Sequence, residues 1–308
     1  MLKLHKMKFA AVAALALGVL IGAPTLSKAG TEVSGTDGKE GKSLVEETQK
    51  SCITGDLGVT FVTKYFSRGI ELEDQGVIGQ PYADLYFKIY DGGDTAFINN
   101  VTVNASVWSS IHSHHPGNTS TTPAWYEFDW TPGIAVTFLK NFTLTTSYYE
   151  FDSPNDSFNI ARSINVNLAY NDSDLLGIWA LHPHFTVLKE LPGGGSPEGV
   201  AGLRPDGWYF EPGIAPSFTI VKDGTFPVTL TLPIAAGFGA EHFYAGDGFG
   251  YFSGGAQVAV GLGFMPKCLG TWTTTIGATY YYLHNNLAAV DNGRYNDWVG
   301  SAAMAVSF

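Results

Sequence analysis

The sequence predicts an all-β protein, a 12-stranded antiparallel up-and-down transmembrane β-barrel of the bacterial outer-membrane type. Three observations predict it. Stretches of about ten residues alternate between apolar and polar side chains, their connections are alternately short and long, and aromatic residues gather at both ends of the stretches. The low charged fraction of 15% and the high aromatic fraction of 14% exclude a disordered chain.

Residues 1–29 have the composition of a secretory signal peptide. Lys3, Lys6 and Lys8 give a basic start, and an apolar run follows. The tripeptide Ser27-Lys28-Ala29 fits a cleavage site, so we expect cleavage near Ala29 and function outside the cytoplasm of a Gram-negative bacterium. The alternative is an uncleaved anchor helix, for which the apolar run is short.

Two further segments follow the signal peptide. Residues 30–56 are polar and rich in Gly, Ser, Lys and Glu, which predicts a periplasmic tail ahead of a barrel at 57–308. The formal net charge of −11 argues against a nucleic-acid partner, because such a partner requires a basic surface.

The barrel region consists of alternating stretches. For example, Val103, Ala105 and Val107 share one face of a strand, whereas Asn104 and Ser106 share the other. The twelve predicted strands begin near Leu57, Pro81, Phe97, Trp125, Phe142, Phe158, Gly177, Trp208, Phe226, Tyr251, Gly270 and Asp297. The aliphatic face is expected to contact lipid, because a charge there near the bilayer centre costs about 2–4 kcal/mol. A soluble secreted β-sandwich is the alternative, since its strands alternate in the same way.

The connections favour the barrel over the sandwich. With the amino end in the periplasm, the even-numbered connections are periplasmic and short, as at 140–141 and 171–176. The odd-numbered connections face outside, and all but one are long, as at 190–206 and 285–296. This sorting is typical of outer-membrane barrels, and a sandwich has no physical reason to show it.

Aromatic residues mark the strand ends. Trp125 and Trp298 lie near the predicted outer edge, and Phe142 and Trp272 lie near the inner edge, as in the two aromatic girdles of membrane barrels. The chain stops inside its last strand at Phe308, and a terminal aromatic on an alternating strand is similar to the signal that the outer-membrane assembly machinery recognises.

The opening hairpin resembles that of a known family. Leu57 to Phe87 is similar to the start of the TorF-like porin family, which carries an aromatic-x-x-Arg-Gly-Ile element. Here the element is Tyr65-Phe66-Ser67-Arg68-Gly69-Ile70. The segment Trp125–Phe138, with Glu127 and Asp129, is similar to a later acidic strand of the family, and Phe308 matches its closing aromatic. The resemblance implies an outer-membrane barrel with a pore function and without catalytic residues.

The alternation also predicts which polar side chains line the lumen. The set comprises Lys64, Arg68, Asp84, Lys88, Glu127, Asp129, His182, His184, Glu211 and Gln257. Its basic members lie on the first two predicted strands, and the opposite wall carries the two histidines and Glu211. We expect a transverse electric field that sorts small polar solutes, because charged walls are how pores select. The alternative is that these charges pair across the lumen and brace a closed barrel.

Two groups of residues have the composition of metal ligands. His112, His114 and His115 lie together near an outer loop, but no helical spacing holds them, so solvated loop residues are the favoured interpretation. The acidic loop residues Glu71 and Asp74 could hold Ca²⁺ or Mg²⁺ against lipopolysaccharide, but ordinary solvated charges are again favoured. We expect no cofactor and no resident metal.

Hydrolases exist on outer-membrane barrels, and their active sites use Asp and His or a Ser-His pair. Glu241-His242 and His112-Ser113 are the nearest fragments, and neither has a recognisable orienting partner. The sequence therefore predicts that the chain is not an enzyme.

The two cysteines fall on the periplasmic side of the predicted topology. Cys52 precedes the first strand, and Cys268 lies between the tenth and eleventh strands. We expect a disulfide between them that ties the tail to the barrel rim.

Together these features predict a porin-like channel for passive or weakly selective passage of small polar solutes. Its expected partners are outer-membrane lipid and lipopolysaccharide, the outer-membrane assembly machinery and the solutes. The alternatives are a structural or adhesive barrel with a closed lumen and, less favoured, an outer-membrane hydrolase.

Overall fold

The computed structural model describes residues 52–114, 124–192, 206–244, 246 and 248–308. The predicted signal peptide and its cleavage site near Ala29, nearly all of the predicted tail, and His115 lie outside these described residues. Within the described ranges, no helix is both long and apolar enough to cross a membrane.

Sixteen strands and two short α-helices make up the described fold. The strands are β1 Ile53–Val62, β2 Tyr65–Ser67, β3 Ile70–Glu73, β4 Ile78–Asp91, β5 Ile98–His112, β6 Trp125–Phe138, β7 Phe142–Asp152, β8 Ala161–Tyr170, β9 His184–Glu190, β10 Trp208–Ile214, β11 Ser217–Val221, β12 Val228–Thr231, β13 Ile234–Ala240, β14 Gly248–Gly261, β15 Thr271–Leu283 and β16 Asn296–Ser307. The helices are α1 Ser173–Leu176 and α2 Asn285–Val290.

These strands form a closed antiparallel barrel of twelve wall strands, which we call staves because two of them are each divided into two segments. The stave β10–β11 is interrupted at Pro216, and the stave β12–β13 is interrupted at Pro233, since proline cannot donate to a ladder. β1 closes the barrel by pairing with β4 on one side and β16 on the other, with Leu57 opposite both Ala83 and Val306. β2 and β3 form a separate two-stranded sheet. The predicted twelve-stranded barrel is therefore confirmed.

The aliphatic side chains lie outside the barrel and the polar ones inside. Val103, Val107 and Ile134 are exposed on the outer surface, whereas Asn104 and Thr131 on the same strands are buried. The outward face of β8 carries one charge, Arg162, whose Nε donates to Glu150 Oε2 on β7 over 2.7 Å. An apolar exterior and a polar interior are the opposite of a soluble barrel and are what a lipid environment requires.

Two predicted boundaries are wrong. β1 begins at Ile53 rather than Leu57, because the Cys52 carbonyl already accepts the Lys88 amide over 2.8 Å and continues the ladder with β4. The seventh stave begins at His184 rather than near Gly177, so the connection before it is long.

Hydrogen bonds to Asp172 order the long connection before β9. The Asp172 carboxylate accepts the backbone amides of Leu181 and His182 over 3.0 and 2.9 Å. Burial alone would raise the pKa of Asp172, but these two hydrogen bonds outweigh it and lower that pKa. They hold α1 and the following 3₁₀ turn, which leave Ile178 and Trp179 exposed beside the barrel.

The main apolar core lies inside the barrel, at the end opposite the chain terminus. We call this the loop end, and we call the end with Cys52 and Phe308 the terminal end. The core includes Phe66 and Ile70 from β2 and β3, Leu287 from α2, and Phe243 and Tyr244 from the connection after β13. These described segments of the loop-end connections therefore fold into the lumen, whereas the sequence predicted solvated outer loops.

Candidate functional site

A hairpin of nine residues, Tyr65–Glu73, closes the loop end from within. We call it the plug hairpin. The chain leaves the wall after Val62, turns inward and reverses at Arg68 and Gly69, where Ser67 pairs with Ile70. Both turn residues have positive φ, 49° and 83°, as a two-residue type I′ turn requires. The Arg-Gly-Ile element noted in the sequence is thus the tip of a plug rather than part of a wall strand.

Gly69 is required at the tip for two reasons. Its φ of 83° is strained for any residue with a side chain, and an added Cβ would lie 2.4 Å from Cδ1 of the Tyr251 ring. We expect Gly69→Ala to unseat the plug hairpin, because the left-handed backbone alone costs about 1–2 kcal/mol before any clash. Tryptic cleavage after Arg68 in detergent should become several-fold faster.

Cleavage after Lys222 and Lys267, exposed connections at the terminal end, supplies the internal standard for that measurement. An unchanged ratio of Arg68 cleavage to Lys267 cleavage in Gly69→Ala would contradict the role given to Gly69.

Aromatic contacts hold the plug hairpin against the wall. The Phe66 ring is 1% exposed and stacks on Tyr281 of β15 with a centroid separation of 4.6 Å. The Tyr65 ring lies 5.6 Å from Trp108 of β5, and its hydroxyl donates to Glu127 over 2.8 Å. Wall strands on either side of β1 therefore contact the two faces of the hairpin.

A network of charges fastens the base of the plug hairpin at the loop end. Lys64 donates to Glu71 over 2.9 Å and also contacts Asp297. Arg294 contacts Glu71, and it pairs with Asp291 over 2.7 Å and with Asp74 over 3.2 Å. We call these six residues the mouth network. It joins the hairpin to β16 and to the segment after α2.

Burial and pairing shift the pKa values within the mouth network. Burial raises the pKa of Glu71 to about 8, and its hydrogen bond to Asp291 adds to this, while Lys64 opposes it. Burial alone would lower the pKa of Lys64, but hydrogen bonds to Asp297 and Glu71 outweigh it and raise that pKa. The carboxylate oxygens of Glu71, Asp291 and Asp297 lie within 4.8 Å of one another, with the two basic side chains bound to them. The interpretation as a solvated loop charge is therefore wrong for Glu71, whose side chain is largely buried in this network, whereas Asp74 is exposed and contacts Arg294.

Two of the predicted loop histidines lie near Glu73, the last residue of β3. His112 is 1% exposed, stacks on Tyr126 at 4.8 Å and lies 2.6 Å through Nε2 from the Ser110 hydroxyl. Its Nδ1 is 4.0 Å from Glu73, whose carboxylate also contacts His114 at 3.3 Å. The prediction that His112 is a solvated loop residue is therefore wrong, because its strand side chain points into the core.

The predicted hydrolase fragments are engaged elsewhere. Glu241 pairs with Lys189 at 2.9 Å, and the Ser113 hydroxyl accepts the Val77 amide over 2.7 Å. The serine next to an imidazole is Ser110, which is fully buried.

Beneath the tip of the plug hairpin lies an acidic cavity. Carboxylates of Glu127 and Asp129 on β6 and of Glu211 on β10 line it, and Arg68 enters it from the tip. Aromatic walls come from Trp108, Tyr149, Phe151, Tyr209, Tyr251 and Tyr281. The centre of a water molecule can occupy about 60 Å³ of the cavity, which is room for a few waters.

Within this acidic cavity, Arg68 and Glu211 both contact aromatic side chains. The Arg68 guanidinium carbon lies 5.2 Å from the centroid of the Phe151 ring, a cation–π contact. Glu211 accepts hydrogen bonds from the hydroxyls of Tyr209 and Tyr251, which lie 2.7 Å from each other.

Seven of the ten predicted lumen-lining residues lie on inward faces of the wall. They are Asp84, Lys88, Glu127, Asp129, His184, Glu211 and Gln257. Lys88 lies near the terminal end, 3.2 Å from Asp91.

The other three were misplaced on the wall. Lys64 belongs to the mouth network, Arg68 is the tip of the plug hairpin, and His182 lies in the connection before β9, 3.8 Å from Asp172. The predicted basic wall is therefore wrong, because β1 ends at Val62 and the basic residues after it turn inward.

The predicted disulfide is also wrong, because Cys52 and Cys268 are free and exposed. Cys52 adjoins β1, whereas Cys268 adjoins β15, and β16 lies between those strands. Two strand spacings amount to about 10 Å, which exceeds the Cα separation of about 7 Å that a disulfide can bridge.

Comparisons with known proteins identify barrels but no family. No protein-family model matches the chain, and no curated protein matches it. Among solved structures, the chain is similar to an outer membrane channel from Pseudomonas putida F1, with 10% identity over 87% of this chain and 100% of that one and a TM-score of 0.46.

Two further similarities are to proteins of other kinds. The chain is similar to the transport unit of the autotransporter AIDA-I from Escherichia coli, with 10% identity over 86% of this chain and 92% of that one and a TM-score of 0.40. It is also similar to outer membrane phospholipase A from Escherichia coli, with 11% identity over 82% and 91% and a TM-score of 0.38.

Proposed function

We propose that the chain is an outer-membrane channel for small polar solutes, related to the TorF-like porins, and that the plug hairpin gates it. The observation that carries this proposal is the polar inward face of a closed barrel whose outward face is aliphatic. Such a barrel solvates a lumen within lipid, and twelve strands give a lumen wider than the filled interior of an eight-stranded barrel.

The pairing of the plug hairpin supports a gate rather than a fixed seal. β2 and β3 form their own sheet, so their departure would break no ladder of the wall. What holds them is side-chain packing around Phe66 and the contacts of Glu71 with Lys64 and Arg294. The alternative is a structural or adhesive barrel in which the hairpin never leaves.

Replacing the plug hairpin tests the proposal. A variant in which residues 65–73 become a short Gly-Ser linker should insert into planar lipid bilayers and conduct continuously, whereas the unaltered chain should show rare openings. Heat-dependent gel mobility would verify that the wall is folded. A folded variant without conductance would favour the structural alternative.

We further propose that Phe308 mediates recognition by the outer-membrane assembly machinery. Its backbone pairs with Gly55 over 2.9 and 3.0 Å, while its side chain is 55% exposed at the terminal end. Phe308→Ala keeps those backbone bonds, so we expect several-fold less folded barrel in cell membranes but unchanged stability after refolding in detergent. Phe264→Ala, which removes an exposed aromatic at the same end, is the matched control. Equal membrane levels for both variants would refute the proposal.

A hydrolase is the second candidate, favoured by one observation. Ser110, His112 and Glu73 lie in the order of a nucleophile, a base and an acid, although the separation from His112 to Glu73 is 4.0 Å and the serine is buried. Labelling with a fluorophosphonate that depends on Ser110 would support it. Absence of labelling, both in the unaltered chain and in Gly69→Ala, which keeps Glu73, would dismiss it.

A further inference from the structure

We propose that the acidic cavity is a binding site for a small organic cation with a guanidinium or amine group. Arg68 at the tip of the plug hairpin would occupy that site as a tethered ligand while the channel is closed. The inference rests on the proposed gate and adds to it the chemical class of the solute and the residues that select it.

The charge balance of the cavity favours a cation. Three carboxylates, from Glu127, Asp129 and Glu211, face one guanidinium, from Arg68. An anion entering the cavity would meet all three carboxylates at short range, and a neutral solute would leave them uncompensated if Arg68 withdrew. A second cation is the ligand that replaces Arg68 at the least electrostatic cost.

Two further polar groups point to a ligand rather than to a packed core. The Tyr149 hydroxyl and the Asn165 side chain both line the cavity and interact with each other, and the Asn165 side-chain oxygen has no hydrogen-bond partner among the described residues. Their residues are 2% and 7% exposed, so bulk water does not compensate them. Buried polar groups are normally paired, and a solute rich in N–H donors would supply a partner for Asn165.

Hydrogen bonds already fix the positions of two of the carboxylates. Tyr65 donates to Glu127 over 2.8 Å, and two tyrosine hydroxyls donate to Glu211. Each carboxylate oxygen can accept more than one bond, so both groups remain acceptors for a cation. Withdrawal of the hairpin would remove Tyr65 and Arg68 together, whereas the tyrosines that position Glu211 belong to the wall.

The aromatic walls match the flat shape of a guanidinium. Arg68 lies over the Phe151 ring at 5.2 Å, and Tyr251 and Tyr281 line the cavity close to the tip. A planar cation stacks on such rings, and a strongly hydrated metal ion does not gain this contact.

Truncating the tethered ligand provides the test. In Arg68→Ala, ethylguanidinium should bind at least tenfold more tightly than the neutral, similarly shaped ethylurea, as measured by calorimetry in detergent. Adding Glu211→Gln to Arg68→Ala should weaken ethylguanidinium binding at least tenfold. Lys88→Ala, which removes a lumen-facing cation near the terminal end and keeps Arg68, should bind ethylguanidinium no more tightly than the unaltered chain does. Equal binding of the two probes, or no binding, in folded Arg68→Ala would overturn the proposal.

A measurement on the unaltered chain covers the case in which Arg68→Ala does not fold. Ethylguanidinium should increase hydrogen exchange of the 65–73 segment, because it competes with Arg68 for the cavity, and ethylurea should not. An equal response to both compounds would also overturn the proposal. Neither measurement requires conductance. A protein that binds ethylguanidinium but never conducts would therefore refute the gated channel and leave the cation-binding site supported.

Discussion

Phe66→Ala is expected to convert a mostly closed protein into one that conducts most of the time. The ring is almost fully buried and stacks on Tyr281, and no backbone ladder ties it to the wall. Removing a buried phenylalanine side chain costs about 3–5 kcal/mol. If the hairpin leaves while the wall stays intact, as we propose, this cost falls on the closed state and should raise the ratio of open to closed channels at least about a hundredfold.

Single-channel recording in planar bilayers would measure that ratio directly. Phe61→Ala is the matched control, because Phe61 lies on the exposed outer face of β1, only a few residues from the hairpin. It should leave the open fraction unchanged. If both variants behaved alike, the packing of Phe66 would not be what keeps the channel closed.

The wall was predictable from sequence because its determinants are local. Along β5, Val103, Ala105 and Val107 alternate with Asn104 and Ser106, and this pattern of period two fixes which side of the strand meets lipid. The pairing of neighbouring strands then follows from the order of the chain. The predicted start of the seventh strand was wrong because the amides of Leu181 and His182 donate to Asp172. These hydrogen bonds hold the residues before β9 in a turn.

The plug hairpin was not predictable in the same way, because distant residues decide its position. Tyr65 and Phe66 continue the sequence of the first strand, and nothing local shows that they turn inward to meet Trp108 and Tyr281. One signal was available. The glycine of Arg68-Gly69, between Ser67 and Ile70, favours a tight hairpin turn, which conflicts with a continuous wall strand.

The acidic cavity was found only in part. Alternation correctly placed Glu127, Asp129 and Glu211 on inward faces. It could not show that they converge, because Glu211 comes from a strand far from β6 in the sequence, nor that Arg68 reaches them from the hairpin tip.

The gate is also expected to open as the pH rises from 6 to 8, through Glu71. With the hairpin seated, the pKa of Glu71 is about 8, mainly because of burial, whereas a released hairpin would return it toward 4.5. Between these values the seated state holds a proton that the released state has lost. The seated state therefore binds more protons, and its stability falls as the pH rises through this window. A single proton limits the change to a tenfold rise in the open-to-closed ratio per pH unit.

Glu71→Gln is the decisive comparison, because glutamine keeps the shape of the side chain and removes its titration. The open fraction of this variant should be flat between pH 6 and 8, while that of the unaltered chain rises. His114 also lies near the loop end, but it contacts Glu73 rather than Glu71, so His114→Gln should preserve the rise. Above pH 8 both states have lost the proton and the curve should level off, because Lys64 and Arg294 retain their charges. A rise that persisted in Glu71→Gln would mean that another group carries the pH dependence and that the mouth network does not couple protonation to closure.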